Sequence, residues 1–189
     1  MRLKILEIAE RQIRDGGYDA LNFGPIAKEL NTTRANIHYH FKNKASLAMA
    51  VSEAFAKQHT ADFERAAAKY SDNFLDFSKY VEDYFFQMVA EKGLSTCVFA
   101  QVFNSHNAPE DLINFGSCHF QEIQELVCTV ISNSQESGTL KSNLPPQFIA
   151  MHFSVIMMGM RQIAVSLQDC QQVEMVLKNH LVHWAENLG

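Results

Sequence analysis

Residues 22–47 read NFGPIAKELNTTRANIHYHFKNKASL, a stretch in which two short helical patterns are separated by a polar turn. Ile26 and Ala27 lie on the apolar face of the first pattern, and Ile37 is the apolar residue of the second pattern that would meet it. Asn31 occupies the intervening turn position, which needs a left-handed backbone that Asn tolerates better than most residues with a side chain. This spacing of small, turn and apolar positions predicts a helix-turn-helix.

Polar side chains mark the start of both predicted helices. Asn22 precedes the first helix and is expected to cap it, with Pro25 in the first turn, where its missing N–H group costs little. Thr32 or Thr33 is expected to cap the second helix by accepting a backbone N–H bond. Each helix therefore has a local start signal as well as an apolar face.

The outward face of the second helix carries donors and acceptors of the kind that bind nucleic acids. Arginine pairs with guanine, asparagine pairs with adenine, and hydroxyl groups bond to bases or phosphates. This face comprises Thr33, Arg34, Asn36, His38 and Tyr39. It is either a polar surface exposed to solvent or a recognition helix for double-stranded DNA.

The segment from Ile5 to Leu47 resembles the N-terminal domain of TetR-type (tetracycline-repressor-like) transcriptional regulators. The first helix ends in RDGGYDAL, the next carries IA, and the recognition helix closes with YHFKNK. The resemblance implies an all-α fold, in which an N-terminal three-helix helix-turn-helix DNA-binding domain is joined by a continuous helix to a C-terminal helical ligand-binding and dimerisation domain. We place these domains at residues 1–47 and 48–189.

The resemblance also assigns roles to positions of the recognition helix. Thr33 and Arg34 match a helix start that commonly touches phosphate and bases, and Lys44 matches a lysine that meets a phosphate. His38 stands where the family most often has tyrosine, so the neighbouring Tyr39 is expected to supply the hydroxyl contact. The predicted DNA-binding residues are Thr33, Arg34, Asn36, His38, Tyr39 and Lys44.

The net charge of −5 is unevenly distributed along the chain. Residues 1–47 carry eight Lys or Arg against five Asp or Glu, whereas residues 48–189 carry eight against sixteen. Positive charge is thus concentrated in the predicted DNA-binding segment, which suits contact with phosphates. No stretch approaches eighteen uninterrupted apolar residues, and charged residues interrupt the first turn of the chain. We therefore expect a cytoplasmic protein without a membrane span or signal peptide.

The chain shows no residue spacing typical of catalysis or of metal binding. It has no Ser-His-Asp arrangement, no metal-ligand spacing and no phosphate loop, so we expect no enzyme activity, no cofactor and no metal. The four cysteines form no CxxC pair and are expected to be reduced thiols. Two other classes stay open: an enzyme using Cys97 or a histidine, and a ligand-binding module that has lost DNA recognition. The polar recognition helix argues against the second.

The C-terminal part of the chain predicts long helices. One runs from Lys44 to about Lys69, another from about Pro109 to Ser137, and the last two from Pro146 to Leu167 and from Cys170 to Leu188. The penultimate helix is apolar nearly all round, so it is expected to be buried on more than one side. The resemblance implies a homodimer through these last two helices (about 146–188), across a two-fold axis. A buried helix in a monomer is the alternative.

The middle of the body is rich in aromatic residues and methionine. Such a stripe is most often plain core, although methionine and aromatic side chains also line adaptable apolar cavities. The resemblance places the effector site among these helices, so we expect a small, largely apolar effector with His106, His119 or Arg161 as polar anchor. The candidate effector-binding residues are Tyr84, Met88, Phe99, Phe103, His119, Phe120, Met157 and Arg161.

Cys97 suggests that the protein could respond to a reactive compound through a thiol instead of binding an effector in a cavity. Some members of the resembled family carry a cysteine near this place that reacts with electrophiles or oxidants, which implies a thiol-based sensor as the alternative to a ligand-released repressor. Ser95 and Thr96 are expected to cap a helix starting at Cys97, which would favour a reactive thiolate. A buried, unreactive cysteine is the commoner outcome.

Overall fold

The chain folds into helices in the residues that a computed structural model describes, namely 1–92, 97–167 and 169–188. Within these ranges there are ten helices and no strand, as the predicted all-α class requires. The helices are α1 (Arg2–Ala20), α2 (Phe23–Glu29), α3 (Arg34–His40), α4 (Lys44–Lys69), α5 (Phe74–Lys92), α6 (Val98–Phe103), α7 (Glu110–Ser137), α8 (Pro146–Leu167), α9 (Cys170–Leu177) and α10 (His180–Glu186).

The helices form two compact units. Unit 1 is Met1–Gln58 with Thr96–His119, and unit 2 is His59–Ser95 with Phe120–Gly189. The segment 1–47, predicted as the DNA-binding domain, lies inside unit 1. This unit also takes in α6, because Val98 and Val102 are completely buried in its apolar core. The limit at residue 47 as the functional end of the DNA-binding domain stays a prediction.

The helix-turn-helix forms where the local signals predict it. Asn31 has a φ of 50°, the left-handed conformation expected between α2 and α3. Asn22 Oδ1 accepts a hydrogen bond of 2.8 Å from the Gly24 N–H, and Thr33 Oγ1 accepts one of 3.2 Å from the Asn36 N–H. The Asn22 cap satisfies a backbone donor of the first turn, and the Thr33 cap adds to the bond of 3.1 Å that the Asn36 N–H donates to the Thr33 carbonyl oxygen.

The two helices of the motif pack through their apolar faces. Ile26 and Ile37 have no exposed surface and Ala27 is 4% exposed. They belong to one core with residues of α1 and α4, so that α1, α2 and α3 form the expected three-helix group. The polar face of α3 is left for other contacts.

The end of α1 is bent by two glycines. Gly16 and Gly17 depart from helical geometry, and Gly17 has φ 71° and ψ −170°, a conformation essentially restricted to glycine. The bend brings the Tyr18 N–H to Ser105 Oγ, to which it donates a hydrogen bond of 2.8 Å. The end of α1 is thereby joined to the residues that follow α6.

A second connection in the same place involves Asp19. Its carboxylate accepts hydrogen bonds from the Asn107 side chain at 2.8 Å and from the His106 backbone N–H at 3.1 Å. These bonds, chiefly the one from Asn107, hold the pKa of Asp19 below its usual value. The carboxylate is thus kept in the charged form that accepts both bonds.

Unit 2 is organised around an aromatic cluster. Phe74, Phe77 and Phe153 are at most 1% exposed, and their ring centroids lie 5.8–6.2 Å apart. The Phe74 N–H donates to Ser134 Oγ on α7 at 2.9 Å, which satisfies a backbone donor at the start of α5. Aromatic packing and this cap hold α5, α7 and α8 together.

The prediction of one final helix from Cys170 to Leu188 is wrong. The segment forms α9 and α10, separated at Lys178 and at Asn179, whose φ is 70°. The buried carboxylate of Glu82 on α5 accepts hydrogen bonds from the N–H groups of Asn179 at 3.1 Å and Leu181 at 2.9 Å. The helix breaks at this point because these two N–H groups donate to a distant side chain instead of to a carbonyl oxygen one turn earlier.

Glu82 is expected to make the stability of unit 2 depend on pH. Burial raises its pKa, although the backbone hydrogen bonds it accepts act in the opposite direction. A carboxyl group with a raised folded-state pKa stabilises the fold below its unfolded pKa, and this contribution is lost as pH rises through the folded value. We expect the free energy of unfolding to lose this contribution as pH rises from about 4 towards neutrality.

The variant Glu82→Gln should lack this dependence, because an amide does not titrate. Urea unfolding at several pH values between those limits compares it with the wild type. Glu64→Gln, at an exposed position of α4, is the control and should keep the wild-type profile. Identical pH profiles for the wild type and Glu82→Gln would contradict the assignment.

α8 is apolar but only partly covered within the chain. Its inner side gives Ile149, Phe153 and Met160 to the core of unit 2, whereas its outer side carries exposed apolar residues. The outer residues are Phe148, Met151, Val155, Met158 and Ile163. By length and composition alone α8 could cross a membrane, a test that core helices of soluble proteins also pass. The expected absence of a membrane span therefore stays a prediction.

Candidate nucleic-acid interface

The predicted recognition helix presents polar side chains at the surface. Thr33, Arg34 and His38 are exposed, Asn36 is half-buried, and Tyr39 is 84% exposed. An aromatic side chain this exposed contributes almost nothing to the core of its own unit. Its hydroxyl and ring are available to a partner, as a DNA-contacting tyrosine requires.

Two of these side chains also support the start of α3. The Thr33 hydroxyl accepts the cap bond from the Asn36 N–H, which leaves its own proton free to be donated outward. The Asn36 amide donates to Thr32 Oγ1 at 2.9 Å. Asn36 therefore has part of its hydrogen-bonding capacity committed inside the motif.

His38 has a defined orientation. Its ring packs edge-on against Phe23, with centroids 4.7 Å apart, and its Nδ1 lies 3.2 Å from the Lys42 carbonyl oxygen. Because a carbonyl only accepts, this contact assigns the proton to Nδ1 in the neutral ring. Nε2 is then an acceptor that becomes a donor only when the histidine is protonated.

Lys44 lies against the end of α1. Its ammonium group donates to the Asp19 carbonyl oxygen at 3.0 Å and lies 4.5 Å from the centre of the Tyr18 ring. An ammonium group has three donors, so this bond leaves capacity for a phosphate. The phosphate contact itself stays a prediction.

An open groove beside the end of α3 is lined in part by basic residues that are not among the predicted DNA-binding residues. The groove has a volume of about 600 Å³ and includes Arg2, His40 and Lys42, with Glu53 and Asp111 also in its wall. Lys42 was visible in the sequence as part of YHFKNK, but the position of Arg2 beside it depends on the packing of α1. The Arg2 guanidinium lies 5.1 Å from the centre of the Phe41 ring.

The candidate effector residues fall into both units. In unit 1, the Phe99 ring lies 5.1 Å from that of His119 and 6.4 Å from that of Phe103. Phe99 and His119 are buried, whereas Phe103 is 39% exposed. These three residues thus form one aromatic group around α6 and the start of α7.

The other candidates lie in unit 2. Tyr84 donates a hydrogen bond of 2.5 Å to the buried carboxylate of Asp62, and burial together with this bond raises the pKa of Tyr84 to about 12. The Arg161 guanidinium lies 5.7 Å from the centre of the Phe85 ring. Met157 is 9% exposed in the apolar core, and Met88 and Phe120 are half-buried. Their role in effector binding stays a prediction.

Asp62 is a polar residue that the sequence did not single out. Its carboxylate is buried and pairs with both Tyr84 and Arg65. A buried carboxylate needs such partners, because an unpaired charge would carry a large desolvation cost. From the helical pattern of the sequence alone, Asp62 cannot be distinguished from an acidic residue at the surface.

Cys97 immediately precedes α6 and is half-buried. Its side chain makes no capping hydrogen bond to α6, which begins at Val98. The proposed caps Ser95 and Thr96 lie outside the described residues. Within those residues no group of three or more His, Cys, Asp or Glu is placed to hold a metal ion. A reactive role for Cys97 stays a prediction.

Known proteins similar to the chain share its fold. Residues 5–51 match the sequence profile of a family described as bacterial regulatory proteins, tetR family, while no curated protein matches the chain. A TetR family transcriptional regulator from Agrobacterium tumefaciens is 20% identical, with a TM-score of 0.86 and 96% of each chain covered. A TetR transcriptional regulator from Legionella pneumophila is 22% identical, with a TM-score of 0.78 and coverage of 97% of this chain and 94% of that chain.

A third solved structure contains a ligand. It is the transcriptional regulator FadR from Bacillus subtilis in complex with stearoyl-CoA, 16% identical, with a TM-score of 0.66 and coverage of 100% of this chain and 95% of that chain. At identities this low the three structures show a shared fold. The profile match adds that residues 5–51, which include the helix-turn-helix, are similar in sequence to the tetR family.

Proposed function

We propose that this chain, whose residues 5–51 match the tetR family profile and whose fold is shared with TetR-family regulators, is a ligand-responsive repressor that leaves a palindromic operator when a small, largely apolar effector binds. The observation that carries the proposal is the exposed polar face of α3, with Tyr39 84% exposed on it. DNA binding in the cytoplasm, without catalysis, is then the activity of the protein.

The proposed contacts divide into two kinds. Arg34 and Asn36 carry the side chains suited to base edges, while the hydroxyls of Thr33 and Tyr39 suit phosphates. His38 and Lys44 complete the proposed set as further phosphate donors, His38 when it is protonated. Phosphate contacts fix the register of the helix, and base contacts select the sequence.

The proposed repressor is a homodimer through α8, α9 and α10. Phe148, Met151, Val155 and Met158 follow one another at helical spacings of three and four, so they form one exposed apolar stripe on α8. On α9, Met175 is 79% exposed. A second copy would cover such a stripe across a two-fold axis, and this symmetry matches a palindrome with half-sites about 34–36 Å apart.

The proposed effector acts through α4. This helix starts at Lys44, just after α3, and continues to Lys69 in unit 2. An effector that binds one conformation of the body better than another shifts the population towards it. A change in the direction of α4 would then alter the spacing of the two recognition helices and release the operator.

Operator binding is tested first with DNA from the region upstream of the protein's own gene. Fluorescence anisotropy at two salt concentrations, with random duplex as competitor, separates specific from non-specific binding. We expect selective binding that weakens as salt increases. If this region is bound no better than random duplex, selection from a random library decides, and failure to enrich any sequence would overturn the proposal.

Arg34→Ala is expected to weaken operator binding by about 1–3 kcal/mol, the usual value of one base contact. The free energy of unfolding should change little, because the side chain is exposed. Lys57→Ala is the matched control, since it removes the same charge from an exposed position about 20 Å further along α4 from Lys44. Equal losses of affinity for both variants would show that only overall charge matters.

The alternative of a thiol-based sensor is separated from this proposal by Cys97→Ser. A ligand-released repressor keeps its response to the effector in this variant. A thiol sensor loses its response to electrophiles or oxidants, measured as release of operator DNA.

A further inference from the structure

The guanidinium of Arg34 lies directly against the backbone of α2 at Gly24. A Cβ atom added to Gly24 would be 2.5 Å from one terminal nitrogen of Arg34, and 3.1 Å from both Cζ and Nε. Atoms of these types do not approach a real Cβ to 2.5 Å. The guanidinium therefore occupies the space that any other residue at position 24 would fill.

The backbone conformation at position 24 does not itself require a glycine. The residue lies in the first turn of α2 and its φ is outside the positive range that side chains rarely adopt. Its N–H is already bonded to Asn22 Oδ1. Alanine has the higher helix propensity, so on local grounds it would be the better residue there.

The donors of Arg34 remain available in this position. Among the residues that the structure describes, none forms a hydrogen bond or an ion pair with its guanidinium. The group is thus located by contact with α2 while its five N–H donors are not used by the protein. A side chain whose orientations are restricted by such a contact, and whose donors are unused, loses less conformational entropy when it binds.

We propose that Gly24 is a positioning residue for Arg34, whose guanidinium it allows to rest on α2 and so presents to the operator in a restricted set of orientations. The inference rests on the proposed operator binding. It assigns a role in DNA recognition to a residue that itself carries no side chain. The preference for the base opposite Arg34 then depends on α2 as well as on α3.

The test is a double-mutant cycle in the full-length protein with Gly24→Ala, Arg34→Ala and the double variant. The obstructed atoms are the end of a flexible side chain, so Gly24→Ala should fold and keep the wild-type melting temperature or exceed it slightly. We expect Gly24→Ala to weaken operator binding about fivefold when Arg34 is present, and to have no effect in the Arg34→Ala background. Equal effects in both backgrounds, or no effect in either, would overturn the inference.

A second measurement does not depend on DNA. In the free protein, nuclear Overhauser contacts between the Arg34 side chain and the Gly24 α-protons are expected, and Gly24→Ala should shift the Arg34 Nε–Hε signal. Their absence would overturn the inference even if the operator is bound. If these contacts are present but no duplex is bound selectively, the repressor proposal fails and so does the recognition role of Gly24, leaving only the packing contact.

Discussion

Val155→Glu is expected to convert the proposed dimer into a monomer. Val155 is 60% exposed at the centre of the apolar stripe on α8, so a carboxylate there is tolerated in the single chain. In a dimer the same charge would be buried without a partner, at a cost of several kcal/mol per ion. Loss of the second recognition helix should weaken operator affinity by about 10²–10⁴-fold, because the two half-sites no longer bind as one unit.

Sedimentation velocity measures the oligomeric state, and anisotropy measures operator affinity in the same preparation. Gln121→Glu adds the same charge at an exposed position of α7 and serves as the control. We expect the control to stay dimeric with wild-type affinity. A Val155→Glu variant that remains dimeric would place the interface elsewhere.

Gly17→Ala is expected to destabilise unit 1 by about 2–4 kcal/mol, since a strained backbone conformation and a steric conflict add together. The φ of 71° and ψ of −170° suit only glycine. A Cβ would also overlap Ser105 Oγ and lie 3.0 Å from the Gln101 carbonyl oxygen. The variant should lose the Tyr18–Ser105 hydrogen bond that joins α1 to the residues after α6.

Gly138→Ala is the matched control for this prediction. Gly138 also has a positive φ, 76°, but a Cβ there would meet nothing within 4 Å. The substitution Gly138→Ala should therefore lower the free energy of unfolding only through the cost of a left-handed backbone conformation, about 1–2 kcal/mol. Denaturant unfolding followed by circular dichroism compares the two variants, and a loss of stability for Gly17→Ala no larger than that for Gly138→Ala would contradict the prediction.

Features that depend on neighbouring residues were predictable from the sequence. The left-handed Asn31, the cap Asn22, a threonine cap at position 32 or 33 and the extent of α4 all rest on propensities and hydrogen bonds within a few residues. Such signals act locally, so they can be read before the partner helices are known. The outward face of α3 follows from the same periodicity.

Features that depend on distant residues were not predictable. The break between α9 and α10 requires Glu82, nearly a hundred positions earlier in the chain, and the orientation of Tyr84 requires Asp62. The inward bond of Lys44 to the Asp19 carbonyl is of the same kind. The hydrophobic pattern of a sequence does not indicate which buried polar side chain will accept a hydrogen bond from which backbone N–H group.

The sequence by itself determined that this protein is all-α, with a helix-turn-helix between Asn22 and Phe41, because capping, turn chemistry and helical periodicity are local properties. Only the tertiary structure decided that Arg34 rests on Gly24, that the end of α1 is joined to Ser105, and that α8 keeps an uncovered apolar side. Each of these depends on which surfaces meet when helices pack. Packing is set by the shapes of residues far apart in the chain.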